Sequence, residues 1–126
     1  MNNLKLIVLD NIKELGEKVN SDLKLIRGEK TNYMITVKNT RFSNGEGKVK
    51  IEDTVRDKDI YIISDVGNYD ITYNMHGFTH HMGPDEHFGD IKRTILALSG
   101  YQEKITLIMP LLYQARQHKR KGRESL

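Results

Sequence analysis

Apolar and polar positions follow one another along this chain in blocks of changing period, and the changes of period outline its elements. Leu4-Lys5-Leu6-Ile7-Val8-Leu9 is aliphatic and β-branched, as a buried strand requires. From Ile12 the period lengthens. Ile12, Leu15, Val19 and Leu23 fall at helical spacing with Lys13, Glu14, Glu17 and Lys18 on the other face. The pattern predicts a helix capped by the side chain of Asp10 or Asn11 and ended at Gly28. Tyr33-Met34-Ile35-Thr36-Val37 predicts a second strand. Two glycines and a Ser-Asn pair within Thr40-Arg41-Phe42-Ser43-Asn44-Gly45-Glu46-Gly47 mark a turn, and Lys48-Val49-Lys50-Ile51-Glu52 alternates like a half-exposed strand. Together they predict a protruding hairpin-like flap. After the charged link Asp53 to Asp59, Ile60-Tyr61-Ile62-Ile63-Ser64-Asp65 is the strongest central strand. Pro84-Asp85-Glu86 opens a second helix carrying Phe88, Ile91, Ile95 and Leu98, with Gly100 at its close. Lys104-Ile105-Thr106-Leu107-Ile108-Met109 is the last strand. The order predicts an α/β fold with a mostly parallel sheet flanked by helices.

Composition narrows the class. A chain of 126 residues suits one domain with a real core, and 37% hydrophobic against 29% charged residues reads as globular rather than disordered. The absence of cysteine excludes a disulfide framework and any thiolate metal site, and fits a reducing cytoplasm. The patch Leu4 to Leu9 is too short for a signal sequence or a membrane span. A cytoplasmic protein is expected. The net charge of +3 is mild and comes largely from the C-terminal run, which marks an anion-binding end on an otherwise balanced domain.

Two stretches carry candidate chemistry. The last strand runs through Pro110 and Tyr113 into a loop with Arg116, Lys119, Arg120, Lys121 and Arg123, interspersed with Gln117 and His118. Open α/β sheets bind ligands beyond the carboxyl ends of their strands, so this loop is placed to surround phosphates or a nucleic-acid backbone. The plainer reading is a frayed basic tail. The aromatics are not interleaved with the basic run, so nucleic acid is not the expected partner. The second stretch, Gly67 to His87, holds His76, His80, His81 and His87 with Asp70 and Asp85. Such a set can bind zinc, iron or nickel, but His80 and His81 are adjacent rather than four apart and no His-Glu-x-x-His pattern occurs. Solvated histidines, or histidines donating to phosphate in a nucleotide or sugar-phosphate cleft, are the other readings. For Phe42, anchoring an ordinary turn to the core is the commoner use.

Several blocks taken together resemble the ribose-phosphate pyrophosphokinases. They are Arg41-Phe42-Ser43-Asn44-Gly45-Glu46, Val49-Lys50-Ile51, Val55-Arg56-Asp57-Lys58-Asp59-Ile60-Tyr61-Ile62-Ile63, Lys104-Ile105-Thr106 through Met109-Pro110, Ala115-Arg116-Gln117 and Glu124-Ser125-Leu126. They cover roughly half the chain in family order. The resemblance implies a phosphoribosyltransferase-like (Rossmann-like) fold with a β-flap. It also implies transfer of diphosphate from ATP to ribose 5-phosphate with Mg2+. Phe42, Asn44 and Glu46 would hold adenine, typically across a subunit interface, so a homo-oligomer is implied. Arg116 and Gln117 would contact ATP, with His118 beside them. Thr54 and Arg56 match positions that the family uses for a regulatory phosphate, with Thr in place of the usual Ser.

This sequence also departs from the family. His118 replaces the usual Asp, Tyr113-Gln114-Ala115 carries one extra residue, and the histidine-rich segment is longer and lacks the Asn-Asp-Asn-Leu-Met-Glu-Leu helix start. Residues 1–126 are expected to form a partial amino-terminal domain, with the family's second domain absent, no catalytic residue in this part, and no product made by it alone. A non-catalytic protein that regulates or assembles with a synthetase, a basic-tail nucleic-acid binder and a histidine metalloenzyme are the alternatives.

Overall fold

The computed structural model describes residues 3–125. Three parallel strands, β1 (Leu4–Val8), β4 (Asp59–Ile63) and β7 (Lys104–Ile108), form the central sheet in the order β1-β4-β7. The register sets Ile7 beside Ile62 and Ile62 beside Leu107, so one face of the sheet is a continuous aliphatic layer. The helix α2 (Pro84–Leu98) contributes Ile91 and Leu98 to the core with Ile7, Leu9, Ile60 and Ile62. Burial of such aliphatic area, on the order of 25 cal/mol per Å², is what holds the layers together.

A short 3-10 turn (Asp10–Ile12) leads from β1 into α1 (Lys13–Arg27). Neither Asp10 nor Asn11 caps the helix, because the Asn11 side chain is buried in a polar network at the strand ends. Val19 and Leu23 are half-buried as the period requires, whereas Leu15 is exposed. The helix lies so close to β1 that a β-carbon at Gly16 would sit 2.2 Å from Val8 Cγ1.

The expected second strand is reduced to one parallel bridge, Leu6 to Met34. Side chains supply the reason. Tyr33 and Met34 donate their amides to Asn20 and Asn32, and Thr36 donates to Asp53, so the backbone finds partners outside a ladder. The chain then enters the flap, an antiparallel hairpin of β2 (Val37–Arg41) and β3 (Gly47–Ile51).

A second antiparallel hairpin, β5 (Thr72–Met75) and β6 (Phe78–His81), occupies the histidine-rich segment, for which the sequence pattern named no strand. His76 and Gly77 form its two-residue turn, both with positive φ (51° and 88°), as a type I′ connection needs. Its signal was the alternation Ile71, Tyr73, Met75 and the His-Gly pair before Phe78. Beyond β7 the chain is irregular to residue 125. Among the described residues no helix is long and apolar enough to cross a membrane.

Gly16→Ala should destabilise the fold. The helix gains about 1 kcal/mol of propensity, but overpacking against the β-branched Val8 costs ~1–3 kcal/mol and forces α1 away from β1. Chemical denaturation should show a net loss, and Val8→Ala in the same chain should recover part of it.

Candidate functional site

The carboxyl ends of β1 and β4 are joined by a buried polar network. Asn11 Nδ2 donates to Ser64 Oγ (3.0 Å) and faces His87 Nδ1 (3.1 Å), while Asn11 Oδ1 accepts from the Asp65 amide (2.8 Å). His87 Nε2 lies 2.7 Å from the Asn68 carbonyl oxygen. That oxygen can only accept, so Nε2 carries the proton and Nδ1 accepts from Asn11. Every polar group here is matched, and the network fixes the N-terminal turn of α2 against the strand ends. Sequence reading missed it, because nothing local distinguishes Asn11 from a helix cap. Beside it lies a cavity of about 180 Å³ walled by Asn11, Asn39, Arg41, Tyr73, His87 and Asp90.

The flap rises next to this network. Its turn closes through Gly45 N to Phe42 O (2.9 Å) and Phe42 N to Glu46 O (2.8 Å), with Gly45 at φ 97°, a conformation that disfavours a side chain. Phe42 is 46% exposed and does not anchor the turn to the core. Arg41 does the anchoring. Its Nη2 binds both oxygens of Asp90 on α2 (2.8 and 2.7 Å) and its Nη1 donates to the Gly45 carbonyl (2.9 Å). The pair is nearly buried, at 10% and 14% side-chain exposure, and Arg93 adds a further bond to Asp90 (2.8 Å). A charge-assisted pair in which one guanidinium nitrogen spans both carboxylate oxygens, while the other holds the turn, ties the flap to α2. Asn44 and Glu46 are exposed at the tip, where Asn44 Nδ2 donates to Glu46 Oε1 (3.1 Å). The turn thus presents an aromatic face, an amide and a carboxylate together.

The basic loop is tied to the first turns of α2. The Tyr113 hydroxyl donates to Asp85, and the Tyr113 ring meets Phe88 at 5.6 Å between centroids. Arg116, Gln117 and His118 are exposed, the first two lining a concavity of about 470 Å³ formed by the loop itself. Asp85 and Asp90 are separated by about 7.5 Å along the helix and about 140° around it. Flap and loop therefore approach α2 from different sides, and among the described residues no hydrogen bond or ion pair joins Phe42, Asn44 or Glu46 to Arg116, Gln117 or His118. Thr54 lines a separate shallow depression with Lys5 and Lys58, and Arg56 lies over the Tyr101 ring at 5.1 Å.

The four histidines of the middle segment are dispersed. His76 is in the hairpin turn, His80 bonds Glu86, His81 stacks on Tyr69, and His87 is in the buried network. Among the described residues no three His, Asp or Glu side chains come together as a metal-holding group.

A family model for the N-terminal domain of ribose phosphate pyrophosphokinase matches residues 4–126. The chain belongs to the ribose-phosphate pyrophosphokinase family. The crystal structure of phosphoribosylpyrophosphate synthetase from Mycobacterium smegmatis has the same fold, with a TM-score of 0.72 at 24% identity. The match covers 98% of this chain and 35% of that one, so this chain spans about a third of that relative's length. A sequence search of curated proteins returns no match. In this pyrophosphokinase domain the β5–β6 hairpin occupies the histidine-rich segment between β4 and α2.

Glu86 connects that hairpin to α2. It accepts from His80 Nε2 (2.8 Å), the Gly83 amide (3.1 Å) and the Tyr73 hydroxyl (3.0 Å). Burial pushes the Glu86 carboxyl up, but the bonds from His80, Gly83 and Tyr73 outweigh it and hold the group below its ordinary value of 4.5. Desolvation, with the bond to Glu86, pushes the Tyr73 phenol above 10.0. A depressed carboxylate stabilises the fold fully above its ordinary value, and that contribution is lost as pH falls through the lower folded value. The melting temperature should therefore fall more steeply between about pH 5 and pH 3 in the wild-type chain than in Glu86→Gln. Equal slopes would show that Glu86 does not couple proton uptake to folding.

Proposed function

We propose that this chain is the nucleotide-binding part of a ribose-phosphate diphosphokinase, a cytoplasmic enzyme that transfers the diphosphoryl group of ATP to ribose 5-phosphate. The observation that carries the reading is the flap turn, an exposed Phe42 beside an amide–carboxylate pair on a hairpin locked by Arg41 and Asp90. Phe42 offers a face for adenine, and Glu46 and Asn44 offer an acceptor and a donor for its edge. Arg116 supplies a planar cation for phosphate oxygens, with Gln117 and His118 as hydrogen-bonding neighbours. Phosphoryl transfer depends on positioning and charge stabilisation, which such groups provide without covalent chemistry. Thr54 and Arg56 are assigned to a regulatory phosphate.

Because flap and basic loop flank α2 on different sides, the reading completes the nucleotide site with the flap of a second copy. Homo-oligomerisation is thus part of the proposal. Magnesium is taken to arrive with ATP, held by its phosphates, and is assigned no ligand from this chain. The diphosphoryl transfer itself is assigned to an assembly that includes the family's second domain.

Calorimetric titration of ATP with magnesium should give a Kd between about 1 μM and 1 mM, weakened at least about tenfold by Phe42→Ala and by Arg116→Ala. Sedimentation of the same samples should show more than one copy per particle. A folded wild-type chain that releases no heat with ATP would overturn the reading.

A further inference from the structure

The β5–β6 hairpin lies against the flap turn. The His76 amide donates to the Ser43 carbonyl at 3.0 Å, a backbone bond between the tips of the two hairpins. The turn meets this hairpin at Gly45, where a β-carbon would stand in ordinary contact with Met75 Cε (3.4 Å) and the Tyr73 hydroxyl (3.5 Å). The Arg41 guanidinium sits 5.6 Å from the Tyr73 ring centre, so the cation that holds the Gly45 carbonyl is itself seated on an aromatic face. The Tyr73 hydroxyl reaches back to Glu86 in the first turn of α2, and His80 on the neighbouring strand binds the same carboxylate. Register places Tyr73 directly opposite His80, so both strands of the hairpin are fastened to α2 through one residue.

A two-stranded hairpin is marginal in water without something to pack on. The flap's base has the Arg41–Asp90 clamp. Its exposed turn rests on Met75, Tyr73 and the His76 amide. A recognition turn works only if its supporting shell holds the contacting groups to within a fraction of an ångström.

We propose that the β5–β6 hairpin is a buttress that sets the position of the flap turn, with Tyr73 as a positioning residue, and that it thereby tunes discrimination of the nucleotide base. The second half rests on the nucleotide reading above. The first half rests on the contacts alone. Phosphate recognition by Arg116 lies on a separate loop, so the buttress acts on base preference and leaves triphosphate affinity in place.

Two readouts test this on the full chain, with wild type, Tyr73→Phe, Tyr73→Ala and Met75→Ala. Amide hydrogen exchange at Phe42 and Gly45 should accelerate about tenfold in Tyr73→Ala, less in Tyr73→Phe and Met75→Ala, with β1 and β4 amides unchanged. The affinity ratio of ATP to GTP should fall about tenfold in Tyr73→Ala while GTP binding stays within about twofold, and Tyr73→Phe should restore most of the ratio. Unchanged flap exchange in both alanine variants would overturn the buttress. Faster exchange with an unchanged ratio would overturn the link to base preference. A wild-type chain that binds neither nucleotide would sink the nucleotide reading, and the exchange rates would still decide the buttress by themselves.

Discussion

The nearly buried pair of Arg41 and Asp90 is the contact on which the functional end of this domain depends. Taking two charges out of water is costly, and the structure meets that cost by giving both carboxylate oxygens and both terminal nitrogens of Arg41 a partner. Asp90 accepts from Arg41 twice and from Arg93 once, and the remaining edge of Arg41 serves the Gly45 carbonyl. Because the two residues are 49 positions apart, the pair forms only once the flap has folded back onto α2. It therefore reports tertiary assembly, and breaking one side would leave a desolvated charge at the heart of the flap.

The helix α2 serves as a common reference for everything around it. Its buried face completes the core through Ile91 and Leu98, its first turn receives Tyr113 from the basic loop and Tyr73 from the second hairpin, and its middle receives the flap. Such an arrangement lets long, irregular segments hold defined positions without a ladder of their own. The irregular tail after β7 gains its fixed start from Tyr113, which is more than a charge run would suggest.

Legibility in the sequence followed locality. β4 was readable because a run such as Ile60-Tyr61-Ile62-Ile63 has few uses other than a central strand, and α2 because proline, acids and apolar spacing agree over Pro84 to Leu98. The flap was readable from its glycines, and its motif pointed to the family that the comparison then showed. What could not be read was non-local. Asn11 looks like a cap until Ser64 and His87 arrive from elsewhere in the chain. Tyr33 to Val37 looks like a full strand until side-chain oxygens take its amides. The β5–β6 hairpin was obscured by its histidines, whose polarity outweighed the alternation beneath them. Arg41 stood inside a quoted motif, yet its role was invisible without Asp90.

The second hairpin also closes on itself. At its base the Met82 amide bonds the Ile71 carbonyl at 2.8 Å, so the chain leaves the segment where it came in. A backbone lacking residues 72 to 81 has only a short gap to cross before Gly83 and α2. Such a unit behaves as a cassette, gained or lost whole while the sheet and helices stay where they are. Change at this point can then come as gain or loss of a folded piece rather than residue by residue, and in this chain the piece carries its own fastening, Tyr73 and His80 on Glu86.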